Sequence, residues 1–425
     1  MSVAQVTPRL GLRTKAIYGV GGVADAIKTV VFGLFLLFFY TTVVGLPASL
    51  VGIIAAVGLV WDAVIDPYIG HVSDFTRSRL GRRHIYMLVG ASLMGLSFWA
   101  LFSPPPDLPT WALAGWLLVT SLPVRTMTSL FSVPYLALGA ELSQDYHERN
   151  SIAGVRGGLA ILGTLAAAAL VFVVFFPNTT PGVDPKLNYA GYPVMGLTFG
   201  VVMTVVALIA TLGTLRWRSY VRDADIEVNA GQSFQSFFAG VAASFRISSF
   251  RALFISFSLF FLAVVINATL SIYFLTYYVE ITDSAALGLI QGGFYGGAFI
   301  GVVFWLRVSK VIEKRWLYFV STAVTSLAMV CAVLLFGEGS LMGVGNTYAL
   351  LAGHVFVGFF ASIIWVIPFS MIADVADEDE LATGRRREGA FFGIFYFGQQ
   401  IAAGLPILIT GVFIDLYAGL TADSG

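Results

Sequence analysis

Six ionisable side chains stand where hydrocarbon is expected: Asp25, Asp62 and Asp66, and Lys28, Arg125 and Arg156, each within a long apolar segment. An ion at the centre of a bilayer costs a few kcal/mol or more, so such residues face a protein interior and pair. Their formal charges cancel, as a paired cavity requires. The densest chemistry lies in WDAVIDP at 61–67. Its i,i+4 spacing puts Asp62 and Asp66 on one helix face, one turn apart. Two neighbouring carboxylates cannot both stay ionised in a dry site without a cation or a proton between them. Pro67 has no amide hydrogen, so the carbonyl of Ala63 is released close to both. Two carboxylates and a free carbonyl form an oxygen cluster suited to a hard cation such as Na+, and either acid is also a candidate for a coupling proton. The plainer alternative is that each aspartate only neutralises a base. Asp25 and Lys28, three residues apart, meet on one helix face. Lys28 and Arg125 lie too deep to snorkel easily, whereas Arg156 is near a membrane edge.

These side chains need helices that cross a membrane, and composition supplies them. The 425 residues are 58% hydrophobic and 11% charged, with mean hydropathy +0.86; a soluble domain is about one quarter charged. On a ruler of about 20 apolar residues per span, eleven spans are expected: 17–44, 49–71, 84–102, 111–140, 151–176, 190–215, 251–279, 285–308, 316–337, 347–373 and 388–417. Lys and Arg concentrate in alternate loops, including Arg77, Arg79, Arg82 and Arg83 after span 2 and Arg385, Arg386 and Arg387 after span 10. By the positive-inside rule the N-terminus and the connection 216–250 are cytoplasmic. The opening segment lacks the pattern of a cleaved signal peptide, and the single cysteine, Cys331, cannot form an internal disulfide. A multi-pass protein of the cell (inner) membrane is expected.

The two halves echo each other. LLFFYTTVVGLPASLVGII ending span 1 is similar to YFLTYYVEITDSAALGLIQ ending span 7, and a basic hairpin follows the next span in each, DFTRSRLGRRH and RVSKVIEKRW. The expectation is an all-α membrane protein of the major facilitator fold, with two pseudo-symmetric six-helix bundles, 1–215 and 251–425, joined by the linker 216–250. A twelfth helix is missing from this reading, since the chain ends at LYAGLTADSG after span 11.

WDAVIDP with GHVSDFTRSRLGRRH resembles the span 2 signature of the glycoside–pentoside–hexuronide:cation symporters, the melibiose permease family. YGVGGVADAIK, VPYLALGAELSQDYHERNSIAGVR and WVIPFSMIADVADEDELATGRRREG resemble it too, so the likeness covers nearly the whole chain. It implies that Asp62 and Asp66 bind the coupling cation with help from Ser129; two carboxylates and a hydroxyl suit Na+ more than H+, and either acid is still a candidate to carry a proton. It places Asp25, Arg156 and Trp365 around a sugar-like substrate. It implies cytoplasmic gating ion pairs from Asp74, Arg77, Arg82 and Arg83 after span 2, and from Asp374, Asp377, Arg386 and Glu388 between spans 10 and 11. The chain departs from the galactoside site at Ser132, Leu136 and Gln400, where the family has polar or charged sugar-binding residues. Lys28 and Arg125 are additional charges, grouped with Ser132 and Gln400 among the substrate-facing candidates. The family also has a lysolipid-transporting branch with the same WD…DP pattern.

Other features read as packing. Gly293, Gly297 and Gly301 recur every four residues, a close helix-approach pattern, and Asn267 and Tyr273 are candidates to line a cavity with Trp365. No nucleotide loop, catalytic triad or metal-cluster spacing is present, so an enzyme is not expected, and no cofactor beyond the coupling ion. The expected partners are the lipid bilayer, a small solute and a cation, with no nucleic acid, for a monomer. A lysophospholipid or other amphiphile transporter is the alternative substrate reading, and a nonfunctional fragment the alternative to transport.

Overall fold

The computed structural model describes residues 10–76, 78–143, 145–177, 184–217, 244–383 and 388–418. Every regular element among them is helical. Span 1 is built from α1 (Leu12–Gly19) and α2 (Gly22–Val31), continued by π-helical turns at Phe32–Leu36 and Phe39–Val43. Then come α3 (Ala48–Phe75), α4 (His84–Leu101), α5 (Thr110–Glu141), α6 (Tyr146–Leu170) and α7 (Gly191–Thr214). The chain continues with α8 (Ser248–Tyr273), α9 (Ser284–Val308), α10 (Lys314–Leu335), α11 (Thr347–Ala361), α12 (Ile367–Thr383) and α13 (Glu388–Phe413).

Ten described helical segments are long and apolar enough to cross a membrane. The stretch expected as span 4 is the 32-residue α5. Span 10 is two helices, α11 and α12, joined by a 3-10 turn at Ser362–Trp365. The cause is Pro368: its ring and missing amide hydrogen fit the first turn of α12 and block an unbroken α-helix through 364. In α3 and α5 the prolines Pro67, Pro123 and Pro134 are instead accommodated inside continuous helices, as packing against neighbouring helices allows in a membrane.

Two compact units divide the chain: Met1–Ala224 with Gly411–Gly425, and Asp225–Thr410. In the first, α4 packs on α5 and α7, α2 on α6, and α3 on α5. Aromatic rings fill its core around the end of span 1, with Phe39 stacked on Tyr192 at 4.2 Å between centroids and Phe35 against Phe172 and Phe176. The second unit packs α9 and α10 on α11 and buries Phe250, Phe257, Trp305, Ile363, Phe391 and Phe395 together. Val60, Leu96, Val119, Leu259, Ile300 and Leu334 are all exposed, the apolar surface that helices crossing a bilayer present to hydrocarbon. The linker reading at 216–250 lies outside the described residues over 218–243.

Candidate functional site

The charged residues of spans 1, 2 and 4 converge inside the first unit because α3 and α5 lie side by side in matched register. On α3, Asp62 and Asp66 are one turn apart. On α5, Arg125 and Ser129 are one turn apart and face them. Arg125 Nη1 donates to Asp62 Oδ2, and the Ser129 hydroxyl hydrogen-bonds the Asp66 carboxylate. Asp62, Arg125 and Ser129 are each only 8% exposed. Beside this ladder, Trp61 Nε1 donates to Thr126 Oγ1 at 2.9 Å, tying the same two helices through the neighbouring residues.

Two local features make room for the guanidinium. Gly58 precedes Asp62 by one turn, and any Cβ there would collide with Nε and Cζ of Arg125. On the other side the guanidinium lies 5.9 Å from the centroid of the Phe32 ring, where span 1 begins its π turns, within range of a cation–π attraction. The pair is nevertheless incompletely satisfied: Asp62 Oδ1 and Arg125 Nε are buried and make no hydrogen bond. A buried ion pair offsets its desolvation only when its remaining polar atoms are also served.

Span 1 adds charge from the side. Asp66 feels Asp62, Lys28 and Asp25 electrostatically, with Lys28 half-buried and Asp25 exposed. Three carboxylates (Asp25, Asp62, Asp66) and two bases (Lys28, Arg125) leave one formal negative charge on the cluster. Na+ or a proton would each neutralise it, with Asp62 Oδ1, Asp66, the Ser129 hydroxyl and the Ala63 carbonyl as the oxygen donors on hand.

The sequence-based candidates thus sort into distinct places. Asp62, Asp66 and Ser129 are brought together. Arg125, grouped from sequence with substrate-facing residues, sits on Asp62. Arg156 lies apart from that pair, against the α1–α2 junction. Side chains at Gly19 or Gly22 would crowd it, and its charge acts on the hydroxyls of Tyr18 and Tyr135. Those two tyrosines stack at 4.5 Å and exchange hydrogen bonds with each other's backbone carbonyls, at 3.1 and 2.9 Å. Ser132 Oγ, one turn beyond Ser129, is buried without a hydrogen bond, and Leu136 is 49% exposed. Trp365, 40% exposed, and Gln400 belong to the second unit.

Of the gating candidates, Arg82 and Arg83 both grip Glu141 at the end of α5, with Arg82 Nη2–Oε1 at 2.6 Å and Arg83 Nε–Oε2 at 3.0 Å. Asp374 pairs with Lys314 at 2.6 Å. Each of these pairs closes within one unit, and the hairpin arginines brace the end of span 4. Asp377 is exposed. Arg77, Arg386 and the side chains of Asp74 and Glu388 lie outside the described residues. Sequence reasoning passed over Glu141, whose role becomes visible only when the hairpin folds back on α5. Lys186, in the loop before α7, is a second buried charge with a partner of its own. That side chain is fully buried, 2.8 Å from Asp184, and burial pushes its ammonium below the usual lysine range while Asp184 opposes the shift.

A family model described as MFS/sugar transport protein matches residues 17–425. The chain belongs to that family. It is therefore a multi-pass membrane transporter of the major facilitator type, and not an enzyme. It is 26% identical to an uncharacterized symporter of Synechocystis sp., over 98% of this chain and 87% of the relative. It is 25% identical to the sodium-dependent lysophosphatidylcholine symporter 1 of Xenopus tropicalis, over 97% of this chain and 80% of the relative. Among solved structures it superposes on the inward-open xylose transporter XylE from E. coli with a TM-score of 0.64 at 14% identity, covering 96% of this chain and 97% of that one. At that identity the likeness concerns the fold.

Proposed function

We propose that this MFS transporter is a cation-coupled symporter whose coupling ion binds at Asp62, Asp66 and Ser129. The observation that carries the reading is the single uncompensated negative charge of the cluster, together with an Asp62 oxygen that is buried and makes no hydrogen bond. One monovalent cation satisfies both. Na+ is favoured over H+ because the donors on hand include two carboxylates, a hydroxyl and the carbonyl that Pro67 frees. Cation binding removes the repulsion between Asp62 and Asp66 and draws α3 and α5 together. A solute held by span 1, 4 and 5 residues then binds more tightly, and linkage requires the reciprocal effect on the cation. The domains we assign are 1–215 and 251–425, joined by 216–250, in a monomer with its N-terminus in the cytoplasm that works by alternating access.

The solute we assign is a sugar or glycoside, following the family's description and the polar groups of Asp25, Lys28, Ser132 and Arg156. A lysophospholipid is the second reading. The exposed Leu136 next to that polar set favours it, as does the sodium-dependent lysophosphatidylcholine symporter among the relatives. In proteoliposomes, Asp62→Asn and Asp66→Asn should each abolish Na+-driven solute accumulation; full accumulation in both would remove the site from coupling. A thermal-shift panel of sugars, uronides and lysophosphatidylcholine, each in Na+, Li+ or choline, separates the solute readings, because only a ligand of the folded state stabilises it.

A further inference from the structure

Asp62 already has a cation on it, and that cation belongs to the chain. We infer that Arg125 is a tethered competitor of the coupling ion: its guanidinium fills the Asp62 half of the carboxylate cage and leaves it when the ion binds. The inference rests on the cation reading of Asp62 and Asp66 and names the residue that sets the affinity of that site.

Three observations carry it. First, the guanidinium occupies a built slot, with Gly58 leaving out the Cβ that would evict it and the Phe32 ring forming the facing wall. Second, the slot holds it loosely. A guanidinium has five N–H donors and pairs best in a two-bonded fork. Here a single nitrogen, Nη1, reaches Asp62, while Nε and the second carboxylate oxygen stay buried without hydrogen bonds. A permanent brace would use those atoms; an exchangeable one leaves them for the incoming ion. Third, α3 and α5 have an independent tie in Trp61–Thr126, so the guanidinium can swing out while the two helices keep their register.

The charges that face the site are Asp62 and Asp66 from α3, Asp25 and Lys28 from span 1, and Arg125 itself from α5. Removing Arg125 takes the cluster from one to two net negative charges. At an effective dielectric of about 20, a unit charge a few ångströms away changes ion affinity on the order of a hundredfold. Solvent near the exposed Asp25 moderates this, so at least about tenfold is expected.

The experiment uses the purified full chain in detergent and measures the Na+ concentration that gives half-maximal thermal stabilisation, with choline holding ionic strength. Arg125→Met and Arg125→Gln should lower that concentration at least about tenfold. Gly58→Ala should lower it in the same direction, since its Cβ displaces the guanidinium while every charge remains in the chain. Arg125→Lys keeps the charge and should stay close to the parent. If the Arg125 variants do not fold, Gly58→Ala and Arg125→Lys decide the matter. A parent that responds to Na+, with Na+ affinity unchanged or weakened in Arg125→Gln and Gly58→Ala, overturns the competitor role and leaves the cation site standing. Absence of any Na+ response in the parent and in every variant overturns the site and the competitor together.

Discussion

The two units carry the same helix pair with opposite chemistry. Each begins from a π turn, Phe39–Val43 in one and Phe274–Tyr278 in the other. The exits match bond for bond: Val44 N–H reaches Phe39 O and Leu46 N–H reaches Tyr40 O, while Val279 reaches Phe274 and Ile281 reaches Leu275. Counted from those turns, Gly58, Asp62 and Asp66 on α3 occupy the places of Gly293, Gly297 and Gly301 on α9. The facing residues correspond as well. Gly58 opposes Arg125, Asp62 pairs with it and Asp66 meets Ser129, whereas Gly293, Gly297 and Gly301 oppose the backbone or side chains of Leu351, Val355, Phe359 and Ser362 on α11. One interface is a ladder of charges and the other a seam of backbone against backbone. A duplicated framework thus supplies the same register twice, and Asp62 and Asp66, with Arg125 and Ser129 facing them, put a ladder of charged and polar groups where the second unit has a packing seam.

The sharpest way to break this contrast is to take the charge out of α3 and α5. Arg125→Met leaves Asp62 buried and alone, and removing one partner of a buried pair costs about 3–5 kcal/mol. Thermal unfolding in choline should show a large drop, partly reversed by Na+. The double variant Asp62→Leu/Arg125→Met removes the ion pair from the first seam altogether and should regain the parent's stability to within about 1 kcal/mol. A double variant as unstable as the single one would mean that the ladder is not a modified seam.

The second unit offers the converse test, with a smaller effect. A side chain at Gly297 would run into the Val355 carbonyl, which is backbone and cannot rotate away. Gly297→Val should therefore cost about 1–3 kcal/mol in thermal unfolding. Gly296, its neighbour, has no atom within 4 Å of where a Cβ would sit. There Gly296→Ala should be neutral or stabilise by up to about 1 kcal/mol through helix propensity. Equal losses at both positions would deny the seam its specificity.

How much of this was legible in the sequence follows from what one helix reveals about itself. The spans, and the shared face of Asp62 and Asp66, are properties of a single helix and its period, so they could be read directly. The pairing of Arg125 with Asp62 depends on the rotation of α5 about its axis. Nothing local to α5 encodes that rotation, and Arg125 was accordingly grouped with the substrate residues. The repeat LLFFYTTVVG/YFLTYYVEIT was visible, but its consequence was not, because a π turn differs from an α turn by one residue in a backbone ring and leaves no mark on apolar periodicity. The glycines of α9 read correctly as a close approach, since their four-residue spacing is again a one-helix signal. Their equivalence to the two aspartates needed the partner helices.

The helices that leave those turns are capped differently, and this gives a milder test. α9 begins with its own N-cap, Asp283, which accepts from Ala285 N–H at 2.9 Å. Pro47 precedes α3 and makes no side-chain cap. Asp415, far along the sequence in the same unit, serves instead, with its two oxygens 2.8 and 2.7 Å from the amides of Ala48 and Ser49. Each carboxylate also faces the positive end of its helix. Asp415→Ala should cost about 1–2 kcal/mol and Asp283→Ala about 1 kcal/mol, both read by thermal unfolding. No loss in Asp415→Ala would show that α3 needs no cap.

The smallest effect separates the two turns themselves. Where the chain leaves each π turn, one residue takes a left-handed backbone: Gly45 with φ 88° and Glu280 with φ 60°. Only glycine enters that region without Cβ strain, and for another L-residue the cost is about 1–2 kcal/mol. Glu280 is exposed, so replacing it removes strain without opening a cavity. Glu280→Gly gives up some of that gain through the greater freedom of glycine in the unfolded chain. A net stabilisation of about 0.5–1 kcal/mol should remain, seen as a small rise in the unfolding temperature. The reciprocal change, Gly45→Glu, should destabilise by about the same amount or more, because the first turn is packed among buried Phe39, Tyr40 and Leu46. If Glu280→Gly lowers stability instead, the glutamate side chain holds the second turn through contacts that the first does without, and the two turns are alike in backbone only.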